Sequence, residues 1–221
     1  MGLLDSRLQA VLSLIPQGSI LLDIGTDHCK LPAEGLLSGR LAGAYAADIR
    51  EGPLATAKKQ LNTLGLVDQI PLYLSDGLQS IPMETLQKVT AVAIAGMGGE
   101  LIELIMDRSP VEPPLWVLQP MSAIYELLDT LAAKGYAVRQ AALTRDGDKF
   151  YRIFAVQKTK KPYAPAYFSM HLGDPLYTDY LLKEESRMET ALKGLRSAKI
   201  PDEDRIREAE ALLHSIRKAK P

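Results

Sequence analysis

Apolar positions along this chain follow two periodicities, and the place where one gives way to the other divides it. From Ser19 to Thr159, short apolar runs alternate with segments whose apolar residues recur at helical spacing, the pattern of parallel strands joined by crossover helices. It predicts strands over Ile20 to Ile24, Ala44 to Ala47, Pro71 to Leu74, Val89 to Ala95, Leu115 to Gln119, Val138 to Leu143 and Tyr151 to Val156. Only Thr144 to Lys149 separates the last two. So short a link has no room for a crossover helix, so the pair must be an antiparallel hairpin. Ahead of the strands, Leu4, Leu8, Val11, Leu12 and Ile15 share one face of a predicted N-terminal amphipathic helix.

Beyond Lys158 the stretch KTKKPYAPAYFSMHLGDP is rich in proline and lacks periodicity, as a linker does. Asp174 and Pro175 are a predicted N-cap and first helical residue, after which Tyr177, Leu181, Met188, Leu192 and Leu195 form one stripe. Pro201 interrupts, Asp202 caps again, and Ile206, Ala209, Leu213 and Ile216 form a second stripe. Two such helices pack antiparallel, because each has a face that cannot be left in water. The expected fold class is therefore α/β, with a seven-stranded, mostly parallel sheet over residues 1–160, and a linker plus antiparallel helical hairpin (a coiled-coil pair) over 161–221.

Composition narrows the function classes. No window approaches the roughly 20 apolar residues of a membrane helix, and the N-terminal stretch lacks a signal peptide's basic start and apolar block. Cys29 is the single cysteine, and His28, His171 and His214 are too scattered for a zinc motif. A cytoplasmic protein without metal or membrane partner is expected. Charge is uneven: residues 158 to 221 hold 13 Lys and Arg against 10 Asp and Glu, while the remainder holds 13 against 17. This asymmetry points to a polyanionic partner at the C-terminal end, or to nothing more than a solvated helical surface.

The chemistry sits at the strand ends, where ligands of open α/β sheets bind. The first strand runs through Asp23-Ile-Gly25-Thr-Asp27-His28 into a helix. One glycine is too few for the G-x-G-x-x-G of a dinucleotide site, and no G-K-[ST] phosphate loop follows. A ligand without phosphate, S-adenosylmethionine, needs carboxylates and close backbone instead. Asp23 and Asp27 suit its ammonium, and Gly25 lets the backbone approach. Asp48 ends the second strand, 23 residues after Gly25, near the spacing at which an acid receives ribose hydroxyls. Ser75-Asp76-Gly77 ends the third, where a carboxylate can accept from an adenine amino group. Taken singly, each acid equally fits a loop cap; taken together, the three are expected to share one crevice. The fourth strand ends Ala95-Gly96-Met97-Gly98-Gly99, where backbone groups would hold a target amine, or simply make a close-packed turn. The fifth ends Gln119-Pro120-Met121; Gln119 suits either a substrate edge or a buried loop.

In combination DIGTDHCKLP, ADIREGPL, SDGL, AGMGGELI, LQP and GDKFYRIF resemble the bacterial tRNA (adenine(22)-N(1))-methyltransferase family, from about Leu8 to Lys158, with the helical hairpin continuing the likeness. The resemblance implies a class I Rossmann-like methyltransferase domain, S-adenosylmethionine as cofactor, tRNA as partner, and a coiled-coil pair that helps hold the tRNA. It implies a cofactor site at Asp23, Gly25, Asp27, His28, Asp48, Asp76 and Gly96; Thr26, Gly77 and Ala95 adjoin these positions and belong to the expected set. The chain departs from the family's L-Q-P-N at Met121, which offers no amide.

The chemistry so implied is in-line attack of adenine N1 on a sulfonium methyl, with Gly96, Met97 and Gln119 positioning the base and His28 as a relay or a packed helix-start residue. Phenylalanine 150 and Tyr151 suit base stacking or core packing. Lys183, Arg187, Lys193, Arg196, Arg205 and Arg207 are the expected tRNA contacts. Two alternatives stand beside this reading: a methyltransferase for a small molecule or protein, and a non-catalytic tRNA-binding relative.

Overall fold

The computed structural model describes residues 2–26, 28–161 and 163–220. Asp5 opens the first helix, α1 (Ser6–Ser13), by accepting from the Leu8 amide at 2.8 Å. The helix is shorter than its apolar face suggested: Leu4 and Ile15 lie outside it yet are buried, so the face continues through irregular backbone.

Seven strands follow, β1 (Ser19–Ile24), β2 (Leu41–Asp48), β3 (Leu72–Leu74), β4 (Ala91–Gly98), β5 (Trp116–Ser122), β6 (Tyr136–Asp146) and β7 (Lys149–Lys158). Helices α2 (Lys30–Leu37), α3 (Glu51–Leu64), α4 (Met83–Leu86), α5 (Gly99–Asp107) and α6 (Ile124–Ala133) lie between them. The strands form one sheet in the order β3-β2-β1-β4-β5-β7-β6, with only β7 running against its neighbours. Sequence order reverses between β1 and β4, the switch point at which doubly wound sheets open a crevice.

The period-two alternation of the strands sorts the core into two layers. Leu21, Ala91, Ala93, Val117 and Ala155 face a cluster with Val11 and Leu12 of α1, Leu31 and Ala33 of α2, and Ala57 and Leu61 of α3. Residues of opposite parity, among them Leu22, Ile94, Trp116 and Phe154, are also fully buried. α5 and α6 pack on β4, β5 and β6 and bury Ile102, Leu127 and Leu131. Burial on both faces explains why these strands are continuous apolar runs in the sequence.

The last hairpin is longer than expected. Its strands pair as far as Asp146 with Lys149, leaving Gly147 and Asp148 as a two-residue turn where a loop over 144–149 is predicted. Thr144, Arg145 and Asp146 are polar, and an arm projecting past the sheet has no core to mark them as strand.

By compactness the chain forms two units, Met1–Pro165 and Ala166–Pro221. In the second, α7 (Tyr177–Arg196) and α8 (Glu203–Ala219) bury Tyr177, Leu181, Met188 and Leu192 with Ile206, Ala209, Leu213 and Ile216. The Tyr177 hydroxyl donates to the Ala219 carbonyl at 2.9 Å, joining the start of one helix to the end of the other. Asp202 caps α8, accepting from the Arg205 amide at 3.1 Å. Asp174 does not cap α7: its carboxylate accepts from Leu176 in a turn that precedes the helix, so Pro175 is a turn residue. Among the described residues no helix is long and apolar enough to cross a membrane, and no group of three or more His, Cys, Asp or Glu is placed to hold a metal ion.

Candidate active site

A cavity of about 410 Å³ opens at the switch point. Its floor and walls come from four strand ends: Ile24 and Gly25 at the end of β1, Asp48 to Arg50 at the end of β2, Ser75 to Gly77 after β3, and Ala95 to Met97 in β4, with Leu101 and Ile105 of α5 closing one side.

Gly25 and Gly96 carry the two turns. Gly25 has φ +73°, and a Cβ there would overlap the Met97 Cε, so the Met97 side chain lies against bare backbone. Gly96 has φ +81° and donates its amide to the buried Gln119 Oε1 at 3.1 Å.

Asp48 and Asp76 share the cavity, as the strand-end reading requires. Asp48 is 6% exposed, and its Oδ1 accepts from the Arg50 amide at 2.9 Å. Asp76 sits at the mouth, half exposed, with Arg108 Nη1 3.6 Å from its Oδ2. Asp23 differs. It does not line the cavity; β1 alternation points it to the side of Leu21, toward α1 and α2, where it is 7% exposed. Burial pushes its carboxyl up to about 7, and neighbouring Asp48 pushes the same way. The Thr26 hydroxyl and then the Arg7 guanidinium pull it down, although among the described residues that buried hydroxyl has no partner in hydrogen-bond geometry.

Thr26 is fully buried beneath the turn, and Asp27 lies outside the described residues. His28 is half-buried and, like Cys29, has a left-handed backbone (φ +59° and +54°), a strained entrance to α2 of the kind found at ligand loops. The Cys29 thiol is buried and held up to about 12 by desolvation and then by Asp23.

Gln119 corrects one expectation. It is 0% exposed and lines no part of the cavity. Its Oε1 accepts from Gly96 and from Arg7 Nη1, the latter at 2.9 Å, while its Nε2 donates to the Pro120 carbonyl and Met121 Sδ. Both ends are spent on the protein, so Gln119 supports the Gly96 turn and does not reach a base edge. Met121 is half exposed beside it. Arg7, Ile49, Arg50 and Arg108 also belong to the site or its rim, and no local sequence signal singles out their side chains for it.

On the hairpin, Arg187 pairs with Glu184, Arg196 with Glu210 and Arg207 with Asp204. These three of the expected tRNA contacts therefore already have anionic neighbours. Lys183, Lys193 and Arg205 belong to the same two helices.

A seven-stranded sheet in this order, with acids at adjacent strand ends around one crevice, defines a methyltransferase domain, and residues 4–154 match the family described as "Methyltransferase domain". The chain is 31% identical over 186 residues, 83% of its length and 76% of the relative's, to the tRNA (adenine(22)-N(1))-methyltransferase of Bacillus subtilis (strain 168). Its fold matches TrmK of M. capricolum, solved in complex with S-adenosyl-homocysteine, with TM-score 0.80, 26% identity and coverage of 98% of this chain and 97% of that one. It matches a Streptococcus pneumoniae protein solved in complex with S-adenosyl-L-methionine with TM-score 0.79, 27% identity and coverage of 98% and 99%. The chain belongs to the tRNA (adenine(22)-N(1))-methyltransferase family.

Proposed function

We infer that this protein transfers a methyl group from S-adenosylmethionine to N1 of an adenine in tRNA, nucleotide 22 by its family. The observation that carries the reading is the shared cavity of Asp48, Asp76, Gly25 and the Gly96–Met97 turn at the switch point. Its size suits a nucleoside-sized ligand, since such pockets run from about 300 to 1,000 Å³. Its chemistry suits one too: carboxylates stand at two strand ends, bare backbone lies at Gly25, and Ile49, Met97, Leu101 and Ile105 supply apolar wall.

When bound, S-adenosylmethionine would supply the methyl group: the bond from adenine N1 to the methyl carbon forms as the carbon–sulfur bond breaks, S-adenosylhomocysteine leaves as a neutral thioether, and the positive charge passes from sulfur to the base. Asp48 accepts the ribose hydroxyls and Asp76 the adenine amino group. Asp23, once ionised, favours the ammonium from behind the Gly25 turn, through its charge or a bridging water. No base is needed before attack, because N1 carries a lone pair. The protein's task is alignment, and the backbone of Gly96 and Met97 receives the target amino group. Gln119 keeps that turn in place. His28 belongs to the loop that surrounds the cofactor, and no step of transfer requires it.

Residues 1–160 constitute the catalytic domain in this reading, and 161–221 a linker and tRNA-holding hairpin working in the cytoplasm. Exposing a stacked or paired adenine costs a few kcal/mol, and the hairpin cations contribute binding energy against it. Mass-spectrometric mapping of methyl groups on tRNA after incubation with the protein and cofactor tests the whole. Methyl on N1 of adenine 22 is expected; methyl elsewhere, or on metabolites only, overturns the assignment.

A further inference from the structure

The cavity is assembled from strand ends, yet one side chain that secures it comes from α1, ahead of the sheet in sequence. Arg7 Nη1 donates to Gln119 Oε1 at 2.9 Å, and the same oxygen accepts from the Gly96 amide at 3.1 Å. Arginine has donors only, so it dictates which way the Gln119 amide faces. With the amide reversed, its NH2 group would confront two donors at once. The guanidinium also packs on the turn directly: Nη1 lies 3.4 Å from where a Gly96 Cβ would stand, while the backbone at φ +81° is what calls for glycine there. The same cation acts on buried Asp23.

We propose that Arg7 is a positioning residue that holds the base-receiving Gly96–Met97 turn through Gln119 and, from α1, sets its charge beside the buried carboxylate of Asp23. The proposal rests on the methyltransferase reading above and adds a residue that contacts neither reacting group. It assigns Arg7 two separable effects. Through Gln119 it holds the turn and so governs the rate of transfer. Through its charge it favours ionised Asp23 and so governs cofactor binding near neutral pH.

The groups facing Asp23 make the second effect specific. Asp48 on β2 and Cys29 at the start of α2 both interact with it electrostatically, and Thr26 adds only a hydroxyl. On the β4 side its register partner is Ala93. Among these described residues Arg7, whose Nη2 also stands 3.8 Å from the Asp5 carboxylate, is the cation that favours ionised Asp23, and its removal leaves Asp48 and Cys29 opposing that charge.

The test uses the full chain with Arg7→Met, Arg7→Lys and Gln119→Leu. Cofactor binding is followed by calorimetry from pH 5.5 to 9, and methyl transfer to tRNA by single-turnover rates. For Arg7→Met the rate is expected to fall about 10–100-fold, as small misplacements do. The pH midpoint of cofactor binding is expected to move up by about one unit. Arg7→Lys is expected to restore the midpoint but not the rate, because an ammonium lacks the planar fork. Gln119→Leu is expected to lower the rate and leave the midpoint where it is. Thermal melts of each variant confirm folding, and the divergence between Arg7→Met and Gln119→Leu in midpoint separates coupling from general loosening. An unchanged rate or midpoint in Arg7→Met overturns the proposal, as does an equal midpoint shift in Gln119→Leu. Absence of cofactor binding by the wild-type chain overturns the functional reading together with it, whereas wild-type binding with an indifferent Arg7→Met overturns this inference alone.

Discussion

The Met97 thioether methyl rests on Gly25, so that a turn following β1 and one within β4 touch at the point where a ligand must pass between them. Gly25→Ala has two consequences. Met97 can swing aside, but an alanine held at φ +73° is strained by about 1–2 kcal/mol. The expected result is a loss of stability of that order and cofactor affinity at least tenfold lower. Calorimetry together with denaturant titration checks both, and Met97→Ala in the same chain should recover affinity without recovering stability.

Asp23 makes folding and binding respond to pH in opposite senses. Its folded value of about 7 lies above the ordinary 3.8, so between these values the folded chain holds a proton that the unfolded chain has released. Raising the pH through that window weakens folding by up to about 4 kcal/mol, a penalty fully developed above pH 7. Cofactor binding needs the ionised form and should strengthen as pH rises through 7, with release of up to one proton. Melting temperatures with Asp23→Asn alongside, and calorimetry in buffers of different ionisation enthalpy, measure the two trends. A wild-type affinity that is flat from pH 6 to 8 would contradict the assignment of Asp23 to the ammonium.

At the opposite end of the strands, Glu112 accepts from the Trp116 indole at 2.9 Å and the Tyr136 hydroxyl at 2.6 Å. Both donors belong to buried residues, and this anion holds the Tyr136 proton on more firmly, though burial is the larger cause. Glu112→Ala strands two donors and should cost about 1–3 kcal/mol. Glu112→Gln keeps an acceptor and should cost less. Neither should alter cofactor affinity, and a changed affinity in a folded variant would show that this end of the sheet communicates with the cavity.

Ion pairing ranks the hairpin cations. Arg187, Arg196 and Arg207 each share their charge with an acid of the same hairpin, while Lys193 and Arg205 take no part in those pairs. Replacing Lys193 and Arg205 with alanine is expected to weaken tRNA binding more than replacing Arg196 and Arg207, and to reduce the salt slope by about 0.9 per lost phosphate contact. Filter binding between 50 and 200 mM salt decides it; equal losses in the two pairs would remove the ranking.

Strand-end residues were legible because their signals are local. Gly25 and Gly96 interrupt apolar runs, and Asp48 and Asp76 follow them, so position along the chain implied position in the crevice. The orientation of Asp23 is legible too, since alternation puts it on the face of Leu21, the side opposite the cavity, and position at a strand end does not by itself report that. Arg7 was not legible. It is one cation on a helix recognised by its apolar face, and its partner Gln119 lies 112 residues away, a separation no periodicity reports. Gln119 was ambiguous for the same reason: burial of an amide depends on what arrives from elsewhere to satisfy it.

The sole thiol of the chain, Cys29, is sealed within the turn that leads from β1 to α2, and its proton is held up to about 12. An electrophile in solvent finds almost no thiolate there, so alkylation must await local opening of the loop. The native chain thus contains its own clock for that opening: the labelling rate of one sulfur, read by intact mass, reports how often the loop breathes, and a nucleoside seated above Gly25 should slow it.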